Sequence, residues 1–143
     1  MTLTGDLKRE HEWLRQKLDL FEGVLTTSPS PVTIRGMCHT LARMLEQHVR
    51  NEDRVAAPYT NRLQSIFRNR LLDDHADERA LVRDFNDLVA AGISIPTGRA
   101  VLHLFRLINE LREHMAMEER ELFPSLDYAQ THPALAEDAE VSP

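Results

Sequence analysis

A His-x-x-x-Glu pair occurs twice in this chain, each time on the apolar face of a predicted helix. His48 and Glu52 form the first pair, and His114 and Glu118 form the second. Residues four apart lie one turn apart on the same side of a helix. A carboxylate on the apolar face of a helix is costly to bury unless it is paired or bound to a metal. The two pairs therefore predict a polar site inside the fold.

The apolar stripes that carry these pairs have the three- and four-residue spacing of amphipathic helices. The residues of the two stripes are Ile34, Met37, Leu41, Met44 and Leu45 before His48, and Leu104, Leu107, Ile108, Leu111, Met115 and Leu122 around His114. Because both stripes include a histidine and a glutamate, each predicted helix would direct two metal-ligand side chains towards the interior.

A single histidine on its own apolar stripe precedes each pair. These histidines are His11 and His75, 64 residues apart, while His48 and His114 are 66 residues apart. The nearly equal separations indicate a doubled helix pair. The predicted fold is therefore all-α, with four helices that bring four histidines and two glutamates into one bundle interior.

Capping and turn signals give the expected bounds of these helices. Ser30 followed by Pro31 is a good cap and first-turn pair, and Ala91-Gly92 is a good helix end. The expected helices run over about 4–25, 31–56, from 61 or 71 to 91, and 97–124. We expect one domain over residues 1–125 and a short, partly disordered tail over residues 126–143.

Composition excludes several classes of protein. The 143 residues contain no apolar run near the 20 residues that span a membrane, and no basic segment followed by an apolar run near the start. Cys38 is the only cysteine, so neither an intramolecular disulfide nor a thiolate metal cluster is expected. The net charge of −6 is spread along the helices, which argues against nucleic-acid binding. The expected location is the cytoplasm.

Imidazole and carboxylate ligands in a helical bundle suit iron, manganese or zinc. Two carboxylates among four histidines indicate two metal ions, with Glu52 and Glu118 able to bridge them and two histidines on each metal. Coordination positions would stay open for a small molecule. Zinc fits these ligands but supplies no redox chemistry, whereas two irons could bind or reduce dioxygen, nitric oxide or peroxide.

The whole pattern resembles the hemerythrin-like, or HHE cation-binding, domain family. The resemblance covers about residues 5–125 and includes Glu118-Glu119-x-x-Leu122-Phe123-Pro124, which is similar to the fourth-helix signature of the family. It implies an antiparallel up-down four-helix bundle that holds a non-haem di-iron centre, oxo- or hydroxo-bridged, in which manganese or zinc could replace iron. The implied metal ligands are His11, His48, Glu52, His75, His114 and Glu118.

Departures from the family pattern favour its six-ligand bacterial type over the reversible oxygen carriers. Arg79 stands where oxygen carriers have a second histidine in the third helix, and Glu118 stands where they have an aspartate. Glu78 could be an extra ligand or a partner of one, but a salt bridge with a surface arginine is the preferred interpretation. The second predicted helix lacks a counterpart of the Leu122-Phe123-Pro124 ending of the fourth, since Val55-Ala56-Ala57-Pro58 follows its acidic residues instead.

Three further residues are not expected to join the site. His39 is nine residues before His48 and should face outward, and Cys38 should be a small buried residue. His103 lies eleven residues before His114, about 16 Å away along a helix, and should be a core histidine.

Four functions are consistent with this pattern. The first is a di-iron protein that binds or senses a small molecule, namely dioxygen, nitric oxide or peroxide. The second is an enzyme at the same centre, with peroxidase-like, nitric-oxide-reducing or oxygenase activity. The third is iron storage or donation, and the fourth is a metal-free bundle that binds a partner. No nucleic-acid or membrane partner is expected, and the sequence names no protein partner.

Overall fold

The computed structural model describes residues 2–62, 65–91 and 94–132. Within these ranges the chain is helical and contains no strand, which confirms the all-α prediction and is consistent with a helical bundle. The helices are α1 (Gly5–Leu25), α2 (Pro31–Ala56), α3 (Ser65–Ala91), α4 (Thr97–Met117) and α5 (Phe123–Thr131). A 3₁₀ segment, Ala57–Arg62, follows α2, and a π-helical turn, Glu118–Leu122, joins α4 to α5.

The predicted helix signals are largely confirmed. The Ser30 side chain accepts a hydrogen bond from the Thr33 backbone N–H at 3.2 Å, and Pro31 occupies the first turn of α2. α3 begins at Ser65, between the two starts that the sequence allowed. At the other end of α3, Ala91 is the last helical residue, as expected.

The expected end of the fourth helix at Pro124 is wrong. Helical structure continues to Thr131, and Pro124 lies in the first turn of α5, where a missing backbone N–H breaks no helical hydrogen bond. Leu126 and Ala129 of α5 are buried, so this part of the predicted tail is packed on the bundle. The rest of that tail, from residue 133, lies outside the described residues.

Buried apolar side chains form two clusters. The large cluster contains residues of all four helices from α1 to α4, and its largest fully buried members are Leu14, Leu18, Leu41, Leu45, Phe85, Leu104, Leu107, Ile108, Leu111 and Met115. The small cluster consists of Leu7, Ala56, Leu71, Leu122, Phe123, Leu126 and Ala129. Helices α1, α2 and α3 contribute to both clusters, whereas α4 contributes to the large one and the π-helical turn with α5 contributes to the small one. No helix in the described ranges has the length and apolar character needed to cross a membrane.

Polar contacts attach α1 to the C-terminal helices. Thr4, fully buried, donates from its backbone N–H and its hydroxyl to the Asp127 carboxylate in α5 at 3.0–3.1 Å. At the far end of α1, Arg112 of α4 forms ion pairs with Asp19 and Glu22. The start of α1 is thus beside α5, and its second half is beside the C-terminal part of α4.

Cys38 is expected to be unreactive in the folded protein. Its side chain is completely buried in the large cluster, as predicted, and burial raises the pKa of the thiol to about 12. Because the thiolate is the nucleophile, an aromatic disulfide reagent at pH 8 should titrate almost no thiol in the native protein and about one per chain in denaturant. Rapid labelling of the native protein would contradict this burial. The neighbouring His39 is exposed, as predicted.

Candidate metal centre

Buried polar side chains form a layer between the two apolar clusters. The layer residues are His11 from α1, His48 and Glu52 from α2, Asp74 and Glu78 from α3, His114 from α4 and Glu118 from the π-helical turn. Their exposed fractions run from 0% to 8%. His75 lies at the edge of this layer. Each helix contributes side chains to this layer because polar residues interrupt its apolar stripe between the two clusters.

On one side of the layer, two imidazoles meet one carboxylate. His11 Nε2 lies 3.2 Å from His48 Nε2 and 3.0 Å from Glu118 Oε1. His48 Nε2 is 3.4 Å from the same Glu118 oxygen. Three potential ligand atoms therefore converge on one point.

On the other side, Asp74 and Glu78 meet His114. His114 Nε2 lies 2.8 Å from Asp74 Oδ1, 3.9 Å from Glu78 Oε2 and 3.7 Å from Glu118 Oε2. The two oxygens of Glu118 thus face the two sides of the layer. Glu118 therefore lies between the two sides of the layer, and its predicted role as a bridging ligand stays a prediction.

Glu52 connects His48 to His75. Glu52 Oε2 lies 3.3 Å from His48 Nε2, and Glu52 Oε1 lies 3.5 Å from His75 Nε2. The His75 side chain is 17% exposed, and its Nε2 is also 2.9 Å from Oδ1 of Asp53, whose side chain is 53% exposed. His75 is therefore the most peripheral of the six predicted ligands.

The described residues form four overlapping groups whose ligand atoms lie within 4.8 Å of one another. The groups are His11, His48 and Glu118; His48, Glu52, Glu78 and Glu118; Glu52, Asp74, His75 and Glu78; and Asp74, Glu78, His114 and Glu118. Glu78 and Glu118 each belong to three of them. This buried His/Glu/Asp cluster could hold metal ions, and all six predicted ligands belong to it.

Carboxylates around the layer lie beside two of the histidines, and one of them accepts a hydrogen bond. His48 Nδ1 donates to Glu10 Oε1 at 3.0 Å, and Glu10 in turn accepts a hydrogen bond from Asn51. This bond places a proton on Nδ1 and directs Nε2 into the layer. On the other side, His11 Nδ1 lies 3.6 Å from Glu119, which is paired with Arg15.

The polar atoms of the layer are mostly without hydrogen bonds. Among the described residues, the buried side-chain N and O atoms that lack a hydrogen bond all belong to the layer or to His75. These atoms are His11 Nδ1, both oxygens of Glu52, Asp74 and Glu78, His75 Nε2, His114 Nε2 and Glu118 Oε2. The close approach of His114 to Asp74 is not oriented as a hydrogen bond. Buried polar groups are nearly always paired in native proteins, so this concentration indicates a missing partner.

The pKa values of four layer residues are shifted strongly from their usual values. Burial, with the nearby His48, lowers the pKa of His11 to about 3. Burial also opposes charge on His48, but the nearby carboxylates of Glu10, Glu118 and Glu52 outweigh it and raise its pKa to about 12. Burial and then the charges of Glu52 and Glu118 raise the pKa of Glu78 to about 12. Glu118 also has a raised pKa, from burial and its contact with Glu52.

The structure adds two residues to the site. Asp74 was not predicted, and the preferred interpretation of Glu78 as a surface salt-bridge residue is wrong because its side chain is fully buried in the layer. A signal for both exists, since Leu71, Asp74, Glu78, Leu81 and Phe85 continue one stripe with alternating spacings of three and four. His103, expected in the core, is only half-buried.

Comparison of the chain with models of protein families, with curated proteins and with solved structures finds no match.

Proposed function

We propose that this chain is a hemerythrin-like protein that holds two non-haem irons in the polar layer and binds a small oxidant there. The oxidant would be dioxygen, nitric oxide or peroxide. The proposal combines the family resemblance of the sequence with a donor set that suits iron. A cytoplasmic location and a role without nucleic acid or membrane accompany it as predictions.

The observation that carries the proposal is the set of buried layer atoms without hydrogen bonds. Four carboxylates share one interior layer, and each ionised carboxylate is costly to bury without a compensating cation. The raised pKa values of Glu78 and Glu118 reflect this cost, because burial favours the neutral form of both carboxyls. Bound metal cations would supply the compensating positive charge and use the unpaired oxygens as ligands.

The surroundings of the layer support binding of small molecules only. Two irons, when bound, supply redox chemistry and coordination positions for a small ligand. The protein would hold His48 in position through Glu10, and the apolar clusters on both sides would exclude bulk water. Leu111 and Met115, on either side of His114 in α4, are fully buried, which favours a small ligand over a larger substrate.

Metal content is the experiment that tests this proposal. Protein purified without added metal and without a metal-binding tag should contain about two irons per chain by elemental analysis. The iron-loaded protein should then change its visible spectrum on addition of dioxygen, nitric oxide or peroxide, and repeated turnover would distinguish an enzyme from a stoichiometric binder. No metal after anaerobic incubation with ferrous iron would contradict the proposal and favour a metal-free bundle that binds a partner.

A groove between α3 and α4 favours iron storage or donation as a second candidate. This groove, about 380 Å³ in volume, has His114 among its lining residues together with the carboxylates of Asp77, Asp84, Glu110 and Glu113. An acidic groove that includes a potential ligand would concentrate cations beside the layer. Rapid transfer of bound ferrous iron to a chelator, slowed by Glu110→Gln combined with Glu113→Gln, would support this function. Iron that stays bound over hours would contradict it.

A further inference from the structure

We propose that Asp74 and Glu78 are metal ligands, so that the centre is carboxylate-rich, with four carboxylates in place of the two in the predicted ligand set. This inference rests on the proposed function, because it concerns ligands of the same centre. It changes the chemistry of the site, since oxygen donors from α3 would face both metal positions.

The first argument is position. Asp74 and Glu78 are four residues apart in α3, which repeats the spacing of His48 with Glu52 and of His114 with Glu118. Each pair lies one turn apart on the inward side of its helix. The layer is therefore built from three such pairs and His11.

The second argument is burial without a hydrogen-bonding partner. Asp74 is 1% exposed and Glu78 is 0% exposed, and none of their four carboxylate oxygens makes a hydrogen bond. Glu78 Oε2 lies 3.8 Å from His48 Nε2 and 3.9 Å from His114 Nε2, between the two sides of the layer. A carboxylate there can reach both metal positions, as Glu118 can.

The third argument is charge. Two divalent ions carry four positive charges, which Glu52, Asp74, Glu78 and Glu118 balance if His11, His48 and His114 are neutral ligands. With Glu52 and Glu118 alone, two positive charges would stay uncompensated in a buried site, which is unfavourable. Oxygen-rich, charge-balanced ligation also favours hard ions such as iron and manganese over copper.

The test compares Asp74→Asn and Glu78→Gln with Asp73→Asn, a change at the exposed neighbour of Asp74 on the same helix. Ferrous iron is added anaerobically, and bound iron per chain and the melting temperature are measured with and without iron. We expect each layer variant to bind iron at least about tenfold more weakly than the unmodified chain or to retain only one ion, and Asp73→Asn to bind normally.

The melting temperatures of the metal-free proteins distinguish a metal ligand from a residue that only stabilises the fold. Each amide removes a buried carboxylate that has no hydrogen bond, so the metal-free variants should melt at or above the temperature of the unmodified chain. Glu78→Asp, which keeps the charge, should retain both irons with weaker binding.

Three results would overturn the assignment. If the unmodified chain binds two irons and both amide variants do so with equal affinity, the assignment fails and the proposed function stands. If the unmodified chain binds no iron, both fail together. A lower melting temperature of the metal-free amide variants, with normal iron binding after folding, would show a structural role.

Discussion

Glu118→Gln is expected to remove at least one of the two proposed metal ions and most of the stability that metal binding adds. The two oxygens of Glu118 face His11 and His48 on one side and His114 on the other, so this carboxylate is the best-placed bridge in the layer. A ligand present at 100 times its dissociation constant stabilises the folded state by about 2.7 kcal/mol. For a chain of this size, that corresponds to a rise in melting temperature of roughly 10 °C.

Elemental analysis and thermal unfolding with and without ferrous iron measure this effect. Glu121→Gln is the matched control, because Glu121 lies in the same π-helical turn with a side chain that is 39% exposed. The control should keep two irons and the full metal-dependent rise in melting temperature. Equal metal content in both variants would show that Glu118 is not a ligand.

Phe85→Ala is expected to lower the free energy of unfolding by about 3–5 kcal/mol. Phe85 is fully buried in the large apolar cluster, where truncation leaves a cavity that the surrounding helices fill only partly. The loss is a large share of the 5–15 kcal/mol that holds a typical domain folded. Chemical denaturation followed by circular dichroism measures it.

Phe105→Ala provides the comparison for this core prediction. Phe105 packs against the same cluster but is only partly buried, so its truncation should cost clearly less. Because neither phenylalanine belongs to the polar layer, both folded variants should bind as much iron as the unmodified chain. Equal destabilisation by the two substitutions would mean that the contribution of Phe85 to the free energy of unfolding does not depend on its deeper burial.

Helices were predictable where local signals and tertiary packing agree. In α2, the Ser30 cap, Pro31 and a regular apolar stripe all specify the observed start, and the helix ends before Pro58. The end of the fourth helix was not predictable in this way, because Pro124 is a stop signal locally. Burial of Phe123 and Leu126 continues the helical structure beyond it.

The histidines of the site were easier to predict than the carboxylates of α3. A histidine on an apolar stripe is unusual, whereas Asp74 and Glu78 stand among Asp73 and Asp77, which are exposed like most helical acids. Only tertiary packing decides which acidic residues turn inward. The spacing of Asp74 and Glu78 from Leu71 was the available signal. It predicts burial of these carboxylates only when the other helices are known to contribute polar residues to the same layer.

The π-helical turn between α4 and α5 changes the directions in which the side chains after it point. The Phe123 N–H bonds to the carbonyl of Glu118, five residues back, so this turn contains one residue more than an α-helical turn. The extra residue rotates all that follows by about 100°. Glu118 can therefore face the polar layer while the Phe123 ring lies 5.1 Å from the His11 ring, tilted by 33°, and Asp127 contacts Thr4. A chain lacking one residue of this turn would keep its helix and lose that alignment, so the spacing between residues 118 and 123 is as much a part of the site as its side chains.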